Sequence, residues 1–260
     1  MITGRRDLPR PPGEVAAETA RQTLGLGLDA PIPILETVED LAGIPVCIQE
    51  FSGEIAGLFY RRNQRPYLFV NGAHSVQRQR FTLAHELGHC EMGHKPRLES
   101  LTRMQSTDRQ EVEANYFAGA FLAPRQAVHN WADRNSELPV DLELVVRMSA
   151  FFGISAEASR IRLERSGVIA RSASNKLKAR IAAGEHRGML GALAVSAMTD
   201  MLSRIKREVD AGNYTLPRLP GILVRMAREA HARELLDEED MAALLRHSNL
   251  NALAEDDAGL

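Results

Sequence analysis

The spacing of hydrophobic and polar positions changes several times along the chain, and each change predicts a new element. From Gly13 to about Leu28 the Ala, Leu and Glu content favours a helix, which Gly25 and Gly27 bring to an end. Pro31 to Leu41 reads as a second, shorter helix stopped by Gly43. Ile44-Pro-Val-Cys-Ile-Gln, Ile55-Ala-Gly-Leu-Phe-Tyr and Tyr67-Leu-Phe-Val then have strand character, with Arg-Arg-Asn-Gln-Arg-Pro as the turn between the last two. Three short strands in succession predict a small meander or curved sheet. A strand bordering the helix that follows would be a natural place to hold an extended peptide. That helix runs from near Ser75 to near Gly93, and the polar residues 94–108 read as a loop. In the next helix Val112, Tyr116 and Ala120, together with Phe117 and Phe121, recur at helical spacing until Pro124 ends it.

Further on, Leu142 to Leu163 reads as a helix, a glycine turn at Gly153 and a second helix capped by Ser155, which is the grammar of a helix-turn-helix. Arg160, Arg162 and Arg165 could face DNA phosphates there. No base-reading side chains stand out, so DNA contact is the minor reading and an interaction or packing module the preferred one. Residues 171–260 carry helical patterns at Leu177–Ala183, Leu190–Val209, Leu219–Leu236 and Glu238–Leu245, ahead of an acidic tail. Met198, Met201 and Met226 are expected in the core. The organisation that results is α+β. A disordered lead-in (1–12) precedes a core with a small antiparallel or mixed sheet and helices (13–140). A helix-turn-helix-like segment (141–170) and an all-α C-terminal region without an assigned role (171–260) complete the chain.

Composition narrows the classes without choosing among them. A chain of 260 residues has room for one large domain or two smaller ones. With 44% apolar and 25% charged residues and a net charge of −2, nothing indicates a strongly basic nucleic-acid binder. The two cysteines, Cys47 and Cys90, are no disulfide framework and fit a reducing compartment. Arg5 and Arg6 precede a proline-rich stretch with no apolar run, so no signal peptide is expected, and no run approaches a membrane span. The expected location is the cytoplasm.

Chemistry concentrates in Phe81-Thr-Leu-Ala-His85-Glu86-Leu-Gly-His89. His85 and His89 are four apart and stack one turn above each other on a helix, so two neutral imidazoles can reach one metal ion, at roughly 2.1 Å for zinc. Glu86, next to the first ligand, can act as general base on a water at an open coordination position. A third ligand lies downstream. The metzincin continuation fails, because Met92 and Lys95 stand where it needs Gly and His. His94 is out of register and reads as an outer-shell or surface histidine. Glu111, 22 residues after His89 on the following helix, completes a His₂Glu set, with Asn115 one turn later placed to hydrogen-bond a ligating imidazole. Glu113 sits on a different helix face and is the reserve candidate. Tyr60, Tyr67 and His74 are weak candidates for stabilising an oxyanion, and that role is unassigned. Cys90 reads as a small buried residue rather than a redox handle.

These two stretches, "FTLAHELGH" and "EVEANYFAGAFLAP", resemble the ImmA/IrrE family of bacterial metallopeptidases, a resemblance covering roughly residues 30–165. One mild departure is Phe121-Leu-Ala-Pro124, where family members commonly have Leu-Leu-Met-Pro. The resemblance implies a gluzincin-like fold and site-specific cleavage of a helix-turn-helix repressor in a DNA-damage, stress or mobile-element response. It assigns His85, His89 and Glu111 as ligands of Zn²⁺, with Mn²⁺ as the other option, and Glu86 as the base. Two other readings compete: a DNA-binding regulator with a vestigial peptidase core, and a partner that sequesters the repressor without cutting it. Neither gives Glu86 a physical task. Oligomeric state is not legible.

Overall fold

In the computed structural model, which describes residues 8–49, 55–62, 64–94, 97–100, 108–190 and 232, helices flank a small mixed sheet. Helix α1 (Pro12–Thr23) opens on a proline, whose missing N–H costs nothing in a first helical turn. It stops at Thr23 rather than Leu28 because Gly25 turns left-handed at φ +70°. The chain is already packed ahead of α1, where the Leu8 carbonyl accepts from Arg125 at 2.9 Å. Helix α2 (Ile34–Glu36) runs into a π-helical turn over Thr37–Leu41. Strands β1 (Val46–Gln49), β2 (Ile55–Arg62) and β3 (Arg65–Asn71) lead to α3 (Val76–Glu91), then β4 (Arg97–Ser100) and α4 (Arg109–Leu122). Five helices follow: α5 (Arg125–Arg134), α6 (Leu142–Phe152), α7 (Ala156–Arg165), α8 (Arg171–Ala182) and α9 (Arg187–Leu190).

The sheet has the order β1-β3-β2-β4. It is not a meander: β1 runs parallel to β3, with Val46 opposite Leu68 and Ile48 opposite Val70, while β2 pairs antiparallel with both β3 and β4. Backbone pairing carries on through Arg61 and Arg62 against Pro66 and Arg65, so the six-residue turn expected there shrinks to two residues. The expected loop 94–108 also needs correction, because residues 97–100 form β4 against β2. Their polar run has no strand signal of its own. An open edge of β2, which no local pattern announces, supplies the partner. The predicted helices beyond residue 190, and Met198, Met201 and Met226 with them, lie outside the described residues.

Apolar residues of the sheet (Val46, Ile48, Phe59, Leu68, Val70) are buried in one core with Leu83, Ala84 and Leu87 of α3 and with the stacked rings of Phe117 and Phe121 of α4. Three buried arginines tie the helix ends together by donating to carbonyls left over at helix C-termini. Arg21 donates to Phe121 O at 2.6 Å and Arg162 to Ala123 O at 2.9 Å, closing α4. Arg80 of α3 donates to Phe152 O and Gly153 O, closing α6. The helix-turn-helix-like pair α6–α7 is thereby fastened to the helices of the core. Arg160 and Arg162, considered above as phosphate contacts, are only 6% and 2% exposed. Arg160 is engaged by Glu157, Glu164 and Ser174, and Arg162 by Glu14. Arg165 lies over the Tyr116 ring at 4.1 Å.

Glu14 therefore holds two cations, Arg125 and Arg162, in a buried cluster. Burial alone would push its carboxyl up, but the two guanidinium groups more than offset this and hold it below the usual carboxylate range. A depressed folded value means that the stabilisation is present above the ordinary carboxylate pKa and is lost as pH falls through the folded one. Glu14→Ala is expected to cost about 3–5 kcal/mol at pH 7, the penalty for leaving a buried charge without its partner. The gap between variant and wild type should close in acid. Urea midpoints of both proteins, followed from pH 7 down to below the ordinary carboxylate range, check this, and a gap that widens in acid contradicts it.

Candidate metal centre

Helix α3 brings His85, Glu86 and His89 together with the spacing its sequence implies, and all three are buried. The two imidazoles meet edge to face with centroids 4.7 Å apart, and their Nε2 atoms approach to 3.0 Å. Glu111 enters from the first turn of α4, where Asp108 caps the helix by accepting the Gln110 N–H and the helix dipole favours a carboxylate. Its oxygens lie 3.3 Å from His85 Nε2 and 3.7 Å from His89 Nε2. Among the described residues, His85, His89 and Glu111 form the group whose ligand atoms all fall within 4.8 Å of one another.

Glycines make this convergence possible. A Cβ on Gly88 would sit 2.9 Å from the Phe117 ring, so α3 and α4 approach as closely as they do because position 88 has no side chain. Across the site, a Cβ on Gly57 of β2 would come within 2.9 Å of Glu86 Oε1 and 2.5 Å of Thr82 Cγ2. The sheet thus closes over the Glu86 carboxylate. Gly88→Ala should improve helix propensity by about 1 kcal/mol, yet it is expected to destabilise the protein by roughly 1–3 kcal/mol through overpacking. By prising Glu111 away from the imidazoles it should also weaken metal binding. Thermal unfolding and metal titration of the variant check both; a gain in stability with unchanged affinity contradicts the close-approach argument.

The donor set suits a divalent cation. Burial pushes the His85 pKa down to about 4, against opposing contributions from Glu111 and Asn115, so the imidazole is neutral and its lone pair available at pH 7. Burial would raise the Glu111 carboxyl, but its interactions with the adjacent His85 and His89 more than offset this and hold the group well below the usual carboxylate range. Two imidazoles and two buried carboxylates, Glu86 and Glu111, make a site that suits a 2+ ion. Asn115 reaches His85, as its place one turn after Glu111 suggests.

The remaining candidates fall elsewhere. Glu113, the reserve ligand, stands 3.5 Å from His94 Nε2 instead of joining the triad. Tyr60 and Tyr67 face each other across β2 and β3, with Tyr60 exposed. Burial pushes the Cys90 thiol up, away from the reactive thiolate, in keeping with a packing role. A cleft of about 630 Å³ is lined by Arg78, Phe81, Asn115, Tyr116, Ile161 and Arg165, while His85, Glu86, His89 and Glu111 are not among its walls. The Phe81 ring lies 6.4 Å from that of His85. Positions from α3, α4 and α7 meet only in the fold, and no sequence spacing announces them.

A buried His-His-Glu cluster with a second glutamate on a His-Glu-x-x-His helix is the constellation of a metallopeptidase. Residues 39–164 match the family model described as the IrrE N-terminal-like domain, Peptidase_M78, the model of the ImmA/IrrE family that the two motifs resemble. Comparison with curated proteins finds no match. The match takes in the sheet, the candidate metal centre, α6 and all but the last residue of α7. No helix among the described residues is long and apolar enough to cross a membrane.

Proposed function

We propose that the protein is a zinc-dependent, site-specific endopeptidase with a gluzincin-like centre, acting in the cytoplasm on a helix-turn-helix transcriptional repressor in a stress, DNA-damage or mobile-element response. Mn²⁺ is the alternative metal, since a His₂Glu set does not choose between divalent ions on affinity alone. The observation that carries this reading is the convergence of His85 Nε2, His89 Nε2 and Glu111 within ion-binding distance, with Glu86 buried on the same helix.

In this reading His85, His89 and Glu111 hold the ion, and Asn115 steadies His85. When bound, the ion supplies Lewis acidity that polarises the scissile carbonyl and makes water acidic enough to react at neutral pH. Glu86 takes the proton from the attacking water on a carboxylate oxygen and passes it to the departing amine. Gly57 and Thr82, packed against Glu86, limit the positions its carboxylate can adopt. The cleft bordered by Phe81 and Asn115, with apolar walls and arginines at its sides, has room for a substrate side chain.

Comparing protein N-termini in cells carrying wild type or Glu86→Gln, before and after DNA damage, tests the substrate. One new N-terminus within a helix-turn-helix repressor, absent with the variant, is the expected result. Complex formation with a repressor and no fragments would replace the peptidase reading with a sequestering one.

A further inference from the structure

We infer that His94 and Glu113 position His89, forming a carboxylate–histidine–histidine relay behind the metal-facing nitrogen; this rests on the metal-centre reading above. The relay is built into the way α3 ends. Gly93 takes the left-handed conformation at φ +67°, its N–H donates to Cys90 O at 3.2 Å, and the His94 N–H donates to His89 O at 2.9 Å. This paired reversal folds the residue two beyond the cap back over the third-last residue of the helix. Here those two residues are His94 and His89. An apolar pair usually occupies the positions, whereas this chain places two imidazoles there, with centroids 4.9 Å apart and Nδ1 atoms 2.8 Å apart.

The direction of each hydrogen bond follows from the metal-centre reading. His89 Nε2 is turned toward His85 and Glu111, the side on which an ion would be held, so its lone pair belongs there and its proton on Nδ1. The Nδ1–H then donates to His94 Nδ1, which leaves the His94 proton on Nε2, and Nε2 faces the Glu113 carboxylate at 3.5 Å. Glu113 is in turn held by Arg109 at 2.9 Å. His94 is only 7% exposed, so its acceptor nitrogen has little water to compete with. A fixed tautomer and ring orientation are what an outer-shell partner contributes to a ligating histidine. The two glutamates two residues apart on α4 thus take different tasks: Glu111 meets the imidazoles, and Glu113 meets the imidazole behind them.

The test measures Zn²⁺ affinity of the full chain by competition with a chromogenic chelator, with no substrate present. His94→Phe keeps the ring packing and removes the acceptor; it is expected to lose roughly 10–100-fold in affinity. His94→Asn places its Oδ1 where Nδ1 stood, and is expected to recover most of that loss, to within about threefold of wild type. A packing role predicts the reverse order, so Phe binding as tightly as wild type, or Asn binding more weakly than Phe, overturns the proposal. Should His94→Phe fail to fold by circular dichroism, Glu113→Ala against Glu113→Gln carries the test. Weaker binding by Ala than by Gln supports the relay, and equal binding by both overturns it. Wild type that binds no Zn²⁺ overturns the metal-centre reading itself, a result distinct from tight binding shared by every variant.

Discussion

Glu86→Gln is expected to retain bound metal and a wild-type melting temperature while losing roughly 10²–10⁴-fold in the rate of peptide-bond cleavage, the range over which a positioned general base acts. The substitution exchanges a carboxylate for an amide of the same shape inside a fully buried site, so packing against Gly57 and Thr82 is kept. An amide cannot accept the proton of the attacking water, and that is the step removed. Because Glu86 lies outside the His85–His89–Glu111 group, metal content should not change. Retained cleavage would sink the assignment of the base. Loss of cleavage together with loss of metal would mean that Glu86 supports the fold of the site rather than the chemistry.

The second large effect concerns Glu111. Glu111→Ala removes a charged donor that reaches both imidazoles, at 3.3 and 3.7 Å, and should weaken Zn²⁺ binding beyond the roughly 10–100-fold typical of losing an outer-shell partner. Glu113→Ala should have a visibly smaller effect, since Glu113 meets His94 and not the triad. Titration of both variants against a common chelator ranks them. The opposite ranking would hand the ligand role to Glu113 and undo the reading of α4.

What could be read from the chain beforehand divides along physical lines. The helix bearing His85 and His89 was legible because a four-residue spacing fixes relative position within one rigid element, whatever surrounds it. Glu111 was legible for a related reason: a carboxylate in a first turn, followed one turn later by Asn115, defines a helix face. The Ser155-capped helix after Gly153 formed as its capping signals indicate. Features that depend on a distant partner were not legible. Strand β4 exists because β2 offers it an edge, and β1 joins β3 in parallel although the local pattern fits a hairpin equally well. Arg162 looked like a surface cation; its partners, Glu14 and the Ala123 carbonyl, lie 148 and 39 residues away. His94 was a borderline case, since Gly93 hints at a left-handed helix end but does not say which side chain folds back.

The most direct test is anomalous diffraction at the zinc edge from crystals of the zinc-loaded protein. The account predicts one strong peak about 2.0–2.2 Å from His85 Nε2, His89 Nε2 and a Glu111 oxygen, with Glu86 facing the ion but not bound to it. A peak on His94 and Glu113, or none on α3, would contradict it.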